Sequence, residues 1–412
     1  MRGRVQAMHA ITKICGTAAL ACCVGPAFAQ IISAPDFQAC LGRIRVQAQA
    51  SGITNATFDR AAAGLEHEQS VIDLSKDQPE FRMPIWDYLA MLVDDERVAD
   101  GKARLKEWAS ALATAEQRYG VDRYTITAVW GVESDYGRAI GKRPLVQSLA
   151  TLSCSGARQP YFRGELIATL QILQNGDIRP ESLVGSWAGA FGHTQFMPST
   201  FQRLAVDLDG DGRRDIVDSV PDALGSTANF LRRAGWVSGA EWGYEVRLPP
   251  GYAGESGRRQ KQPLATWAAR GITRVDGTPI STTGGAANAA LLLPAGAKGP
   301  GPAFLVLRNF DAIYSYNAAE SYALAIAHLA DRLRGGTPFA TAWPTDDRGL
   351  SRAERKEVQR LLNEKGYDTG TPDGHVGART QAAIKAFQEK TGLPVVARAG
   401  GKLLDALRGA KP

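Results

Sequence analysis

Beyond its first few dozen residues the chain has no run of about 20 consecutive apolar residues, which excludes a transmembrane helix there. It also lacks a clustered Lys/Arg stripe, although the formal balance is +6, and this argues against nucleic acid as a partner. No long internal repeat and no low-complexity tract interrupts the 412 residues. Cysteine is scarce: of five, Cys15, Cys22 and Cys23 fall within residues 1–29, leaving only Cys40 and Cys154. An even pair invites a disulfide in an oxidising compartment. Cys40 also sits on an apolar helical face with Phe37, Leu41 and Ile44, so two buried free thiols fit equally well.

What is present at the start has a clear layout. Arg2, Arg4 and Lys13 precede an apolar run from Ile14 to Phe28 that closes on Ala27-Phe28-Ala29. This is the pattern of a cleavable export signal over residues 1–29, cut before Gln30, and it predicts a periplasmic product with no transmembrane segment. Removing three basic residues and no acid lowers the balance from +6 to +3. A lipid anchor at Cys22 is the alternative, weakened because Ala19-Leu20-Ala21-Cys22 lacks the aliphatic residue expected three positions earlier.

Helical periodicity dominates from Pro35 to about Leu333, as in Leu105, Trp108, Leu112, Ala115 and Tyr119, which stop at Gly120. Trp242 to Pro302 is different, rich in Gly, Pro and Thr with short strand-like runs such as Tyr244 to Leu248 and Ala290 to Leu293. The expected fold class is therefore mostly α (α+β): a helical domain over 30–334 with a minor strand and loop insert. Residues 335–349 suit a flexible linker, and 350–412 a small three-helix domain. In that unit Ser351 and Glu354 form a capping-box pattern, with Val358, Leu361 and Leu362 as the apolar stripe.

One acidic residue stands on an apolar stripe. If Asp122 caps a helix running to Gly137, then Ile126, Val129, Trp130 and Glu133 share one face. Burial and the negative end of the helix dipole both oppose ionisation, which raises the pKa of Glu133 as a general acid near neutral pH requires. Asp135 projects elsewhere, as a surface or capping residue. Taken alone, a Glu in such a place is more often a satisfied core residue.

The stretch from Trp130 to Gly137 resembles the catalytic motif of the membrane-bound lytic transglycosylase B family, whose fold is related to goose-type lysozyme. Gly185 to Ser199 is similar to that family's second signature, and the similarity spans nearly all of 36–334. It implies a lysozyme-like catalytic domain in which Glu133 protonates the glycosidic oxygen between N-acetylmuramic acid and N-acetylglucosamine. Ser186 would hydrogen-bond that carboxyl, and Gln195 would line the sugar groove. Tyr316, Asn317 and Tyr322 match a Tyr-Asn pair and a following Tyr at the cleft, with Tyr88 and Arg158 as looser matches. Phe191 departs from the family's usual methionine, which alters packing more than chemistry.

These motifs contain no second carboxylate. Ordinary glycosidases pair an acid with a nucleophile or base. A single Glu suits attack by the muramic acid's own C6 hydroxyl, giving a 1,6-anhydro end without water and without any cofactor for the chemistry. A hydrolytic muramidase on the same fold is the first alternative, and a non-catalytic wall-binding protein the second. The partner in each case is the peptidoglycan strand, met by a monomer.

Asp207, Asp209, Asp211, Asp215 and Asp218 occupy positions 1, 3, 5, 9 and 12 of an EF-hand-like loop with Gly212 at position 6, a spacing that suits structural Ca²⁺. The resemblance adds that family members can carry calcium in this region. Arg214 at position 8 and the short Asp218 count against it, and a plain Asp/Gly turn is the alternative. At the C-terminus, Asp373-Gly374, Gly377, Thr380, Ala383-Ile384 and Phe387-Gln388 resemble the peptidoglycan-binding type 1 module. Its implied use is tethering the enzyme to the wall. His375 reads as a loop residue, with no second ligand to make a zinc site.

Overall fold

The computed structural model describes residues 32–75, 83–281, 288–296 and 301–409. The expected export signal at 1–29, with its three cysteines, lies outside the described residues. Among those described there are seventeen α-helices and seven short strands, so the chain is mostly helical as the periodicity predicts. No helix among them is long and apolar enough to cross a membrane.

The first helix, Ala34–Ala50, buries Phe37, Cys40, Leu41 and Ile44 on one side. Cys40 is disulfide-bonded to Cys154 at the end of the helix Leu145–Cys154, with 5.8 Å between the Cα atoms. Residues Leu105 to Tyr119 do not form one helix. The chain breaks at Trp108 (φ −104°, ψ 25°) between Asp95–Glu107 and Ala109–Tyr119, and the second helix ends at Gly120 in the left-handed region. Periodicity misses this break because the apolar phase carries across it.

The helix Glu320–Arg334 is buried along Tyr322 to Ala330. A helix without a polar face must be surrounded, and this one packs against Arg123–Ser134, Ile85–Leu92, Asp95–Glu107 and Arg308–Asn317. It is the axis of the main core.

β1 (Arg143–Pro144) and β2 (Val184–Gly185) form a small antiparallel pair. The insert holds β3 (Gly243–Arg247), β4 (Gln262–Pro263), β5 (Thr273–Arg274), β6 (Asn288–Leu292) and β7 (Ala303–Val306), in the order β4-β6-β7-β3-β5. Every pairing is antiparallel. Alternate residues of a strand face opposite sides, and β7 is buried on both. Phe304 and Val306 enter the main core, while Ala303 and Leu305 join a second cluster over Trp267.

The C-terminal unit has helices Arg352–Glu364, Ala378–Thr391 and Gly401–Leu407 around Val358, Leu362, Ile384 and Leu404. The Ser351–Glu354 capping box closes its first helix. The preceding segment is not a free tether, contrary to its composition. Phe339 stacks on His328 at 3.8 Å and meets Phe304 at 4.7 Å. The Ala340 and Thr341 N–H groups donate to the Glu245 carboxylate at 2.7 and 2.8 Å. An apolar ring and two satisfied amides fix a stretch that glycine and proline content alone marks as loose.

Candidate active site

The helix Arg123–Ser134 starts where expected, with the Asp122 carboxylate accepting from the Thr125 N–H at 3.0 Å. Glu133 is its penultimate residue. The residue is half-buried, so substrate can reach it, yet the crowding around its carboxyl raises the pKa from 4.5 to about 7. Burial is the main cause, opposed by a hydrogen bond from the Tyr322 hydroxyl.

Tyr322 is buried and stacks against Tyr316, with ring centroids 6.3 Å apart. Tyr316 donates to the Thr194 carbonyl at 2.7 Å and packs on Phe230 and Phe196. Both phenols are pushed well above the usual tyrosine range by burial and by the charge of Glu133. Tyr88 is buried in the same core and acts electrostatically on Tyr322. Tyr316 and Tyr322 therefore gather at Glu133, with Tyr88 next to Tyr322.

The second motif is bound to the first. Ser134 donates through its hydroxyl to the His193 carbonyl at 2.5 Å, and the Trp130 indole N–H donates to His193 Nδ1 at 3.1 Å. Gly137 makes room for this contact: at φ 87°, a Cβ there would fall 2.5 Å from the His193 ring. Neither His193 nor Ser134 is singled out by residue chemistry. Their membership of the two motifs is the signal that could have found them.

Ser186, Gln195 and Phe191 lie in the turn that this union brings beside the Glu133 helix. Phe191 is wholly buried. The hydroxyl of Ser186 accepts from the Ala190 N–H at 3.0 Å, and Glu133 accepts a hydrogen bond from Tyr322. Gln195, half-buried at φ 50°, donates its amide to the Ile140 and Gly192 carbonyls at 3.1 and 2.9 Å. Asn317 is exposed at the end of its helix. Arg158 is exposed too, with its guanidinium 4.4 Å over the Tyr161 ring.

Asp135 is more than a surface acid. It caps the Glu133 helix at φ 52°, and its carboxylate meets Arg352, Arg138 and Arg97 at 2.6, 3.0 and 3.4 Å. Burial would raise its pKa, but the hydrogen bonds from Arg352 and Arg138 hold it below the usual range. Arg97 is itself buried and donates to the Gly131 carbonyl.

The acidic loop differs from the EF-hand register. Carboxylate oxygens of Asp207, Asp209, Asp211 and Asp222 lie within 4.8 Å of one another. Asp215 instead accepts from the Val217 and Asp218 N–H groups and pairs with Arg213, while Asp218 pairs with Arg179. The fourth acid comes from the following helix, Val220–Arg233, which a count along the loop cannot reach. An all-oxygen set of four suits a hard divalent cation.

The model of the Transglycosylase SLT domain matches residues 36–331, and that of the peptidoglycan binding domain matches 351–407. The chain is 45% identical to SltB3 from Pseudomonas aeruginosa, solved in complex with NAG-anhNAM-pentapeptide, over 90% of this chain and 99% of that one, with a TM-score of 0.73. It is 30% identical to the Escherichia coli lytic transglycosylase Slt35 in complex with calcium, over 73% of this chain and 93% of that one, at a TM-score of 0.62. Membrane-bound lytic murein transglycosylase B of Escherichia coli is 35% identical over 249 residues, which are 59% of this chain and 65% of that relative's length. With the SLT domain matched across its helical body, the chain belongs to the SLT-domain family of lytic transglycosylases.

Proposed function

We propose that the chain cleaves the β-1,4 bond between N-acetylmuramic acid and N-acetylglucosamine in peptidoglycan, leaving a 1,6-anhydro-N-acetylmuramic acid end. The observation that carries this is Glu133 itself: a half-buried carboxyl at the end of its helix, hydrogen-bonded by Tyr322, whose surroundings favour the protonated form. The SltB3 complexes with NAG-anhNAM-pentapeptide and NAG-NAM-pentapeptide support the substrate class.

Glu133, half protonated near pH 7 and increasingly so below it, gives its proton to the glycosidic oxygen as the bond to C1 breaks. The substrate's N-acetyl group supports C1. The carboxylate then takes the proton of the C6 hydroxyl as that oxygen closes on C1. One bond breaks, one forms, and water is not consumed. Tyr322 orients the carboxyl, and Tyr316, Tyr88, Ser186, Gln195, Asn317 and Arg158 are the groups proposed to face the glycan.

Asp207, Asp209, Asp211 and Asp222 would hold a structural Ca²⁺, in line with the calcium complex of Slt35. Export through residues 1–29 to the periplasm follows from the substrate, and the 350–412 domain is the proposed wall-binding unit of a monomeric enzyme. The test is to digest purified sacculi with wild type and Glu133→Gln and weigh the muropeptides. Anhydro ends that vanish with the mutant support the proposal; ends heavier by one water make the enzyme a hydrolytic muramidase.

A further inference from the structure

Glu133 stands one residue from the end of its helix, where the last backbone carbonyls lack partners inside the helix and fraying is easiest. The turn that follows is built from unsuitable residues. Asp135 and Tyr136 both take positive φ, 52° and 58°, without being glycine. Non-glycine residues are strained in that region, so the turn persists only if its surroundings hold it.

Several of those holds come from the catalytic domain, Arg138 on Asp135 at 3.0 Å among them. The Tyr136 hydroxyl donates to the Arg97 carbonyl at 3.0 Å, and Arg97 reaches Gly131 and Asp135. The shortest contact on the Asp135 carboxylate comes from the other domain. Arg352, the first residue of the C-terminal unit's first helix, places Nη2 2.6 Å from Asp135 Oδ1, and its own backbone N–H donates to Asp94 at 2.9 Å. Its side chain is only 12% exposed, so the pair is shielded from solvent.

A second arginine of the same unit repeats the arrangement elsewhere. Arg398 holds Asp87 through two parallel bonds of 2.6 Å, and Asp87 is the neighbour of Tyr88. Paired forks of this kind fix position as well as charge. The C-terminal unit thus grips both helices that carry Glu133 and Tyr88, each beside the candidate site residue. A domain meant only as a tether has no use for half-buried ion pairs at those two points.

We infer that Arg352 is a positioning residue for the reaction: through Asp135 it holds the end of the catalytic helix, making the wall-binding domain part of the catalytic unit. The inference rests on Glu133 being the acid. Full-length Arg352→Gln and Asp135→Asn, and the double variant, are assayed on sacculi and on short soluble glycan fragments, alongside sacculus binding and melting. A small displacement of an acid costs up to about a hundredfold in rate. We expect kcat to fall about tenfold or more on both substrates, with sacculus binding unchanged and the double variant no worse than the single ones. Should Arg352→Gln unfold the domain, Arg352→Lys, which keeps the charge but not the planar guanidinium set among Asp135, Glu96 and Asp100, should still lower kcat about threefold.

Wild-type kcat in folded variants, or a loss confined to KM and binding on sacculi, would overturn the inference. Glu133→Gln in the same assay separates the two claims. If it turns over normally, the acid assignment fails; if it is inactive while Arg352→Gln and Asp135→Asn keep wild-type kcat, only the positioning role fails.

Discussion

The indole N–H of Trp130 donates to Nδ1 of His193 at 3.1 Å, which joins the helix of the candidate acid to the second motif. The acceptor nitrogen must be unprotonated, and burial keeps the His193 pKa below its ordinary value. Replacing His193 by Ala leaves a buried indole donor without a partner. Such a loss costs about 1–3 kcal/mol. Thermal or urea unfolding should report that destabilisation, with a fall in turnover beside it.

Tyr322→Phe removes the hydrogen bond that lowers the Glu133 pKa. The pKa then rises further, so the alkaline limb of the pH–rate profile should move to higher pH. At the same time the carboxyl loses its orienting contact, and kcat should drop roughly tenfold. A profile unmoved by the substitution would show that Tyr322 does not act on the acid.

Folded Glu133 titrates near 7 against an ordinary 4.5. For a pKa raised by folding, the associated stability is complete below the lower value and is lost as pH rises through the upper one. Glu133→Gln should therefore unfold at higher denaturant than wild type at pH 8 to 9, by up to roughly 3 kcal/mol. Near pH 4 the gain should disappear. Denaturation curves at the two pH values check the sign.

Much of this was legible in residues that act locally. Asp122 as a cap, Gly120 as a stop and the Ser351–Glu354 box each concern one turn of chain, and the short runs of the insert read as small strands. Contacts across long separations left no such trace. Tyr322 lies 189 residues from Glu133, and Arg352 lies 217 from Asp135. Tyr322 emerged only from family resemblance, Arg352 not at all. The acidic cluster shows the same limit, since Asp222, which lies with Asp207, Asp209 and Asp211, arrives from the next helix.

The proposed set of Asp207, Asp209, Asp211 and Asp222 gives a prediction of its own. Calcium should raise the melting temperature of wild type, by up to about 2.7 kcal/mol in stability at a hundredfold excess over Kd. Asp207→Asn with Asp209→Asn should abolish the shift, whereas Asp218→Asn should preserve it. Loss of the shift in the Asp218 variant alone would restore the EF-hand register.

The central claim is that Glu133 works alone and that the sugar's own hydroxyl, not water, attacks. Digesting sacculi in water enriched in heavy oxygen tests this most directly, by mass spectrometry of the new glycan ends. We predict anhydro ends carrying no heavy oxygen, formed by wild type and absent with Glu133→Gln. Ends labelled by solvent oxygen, or unlabelled ends produced as fast by the variant, would contradict it.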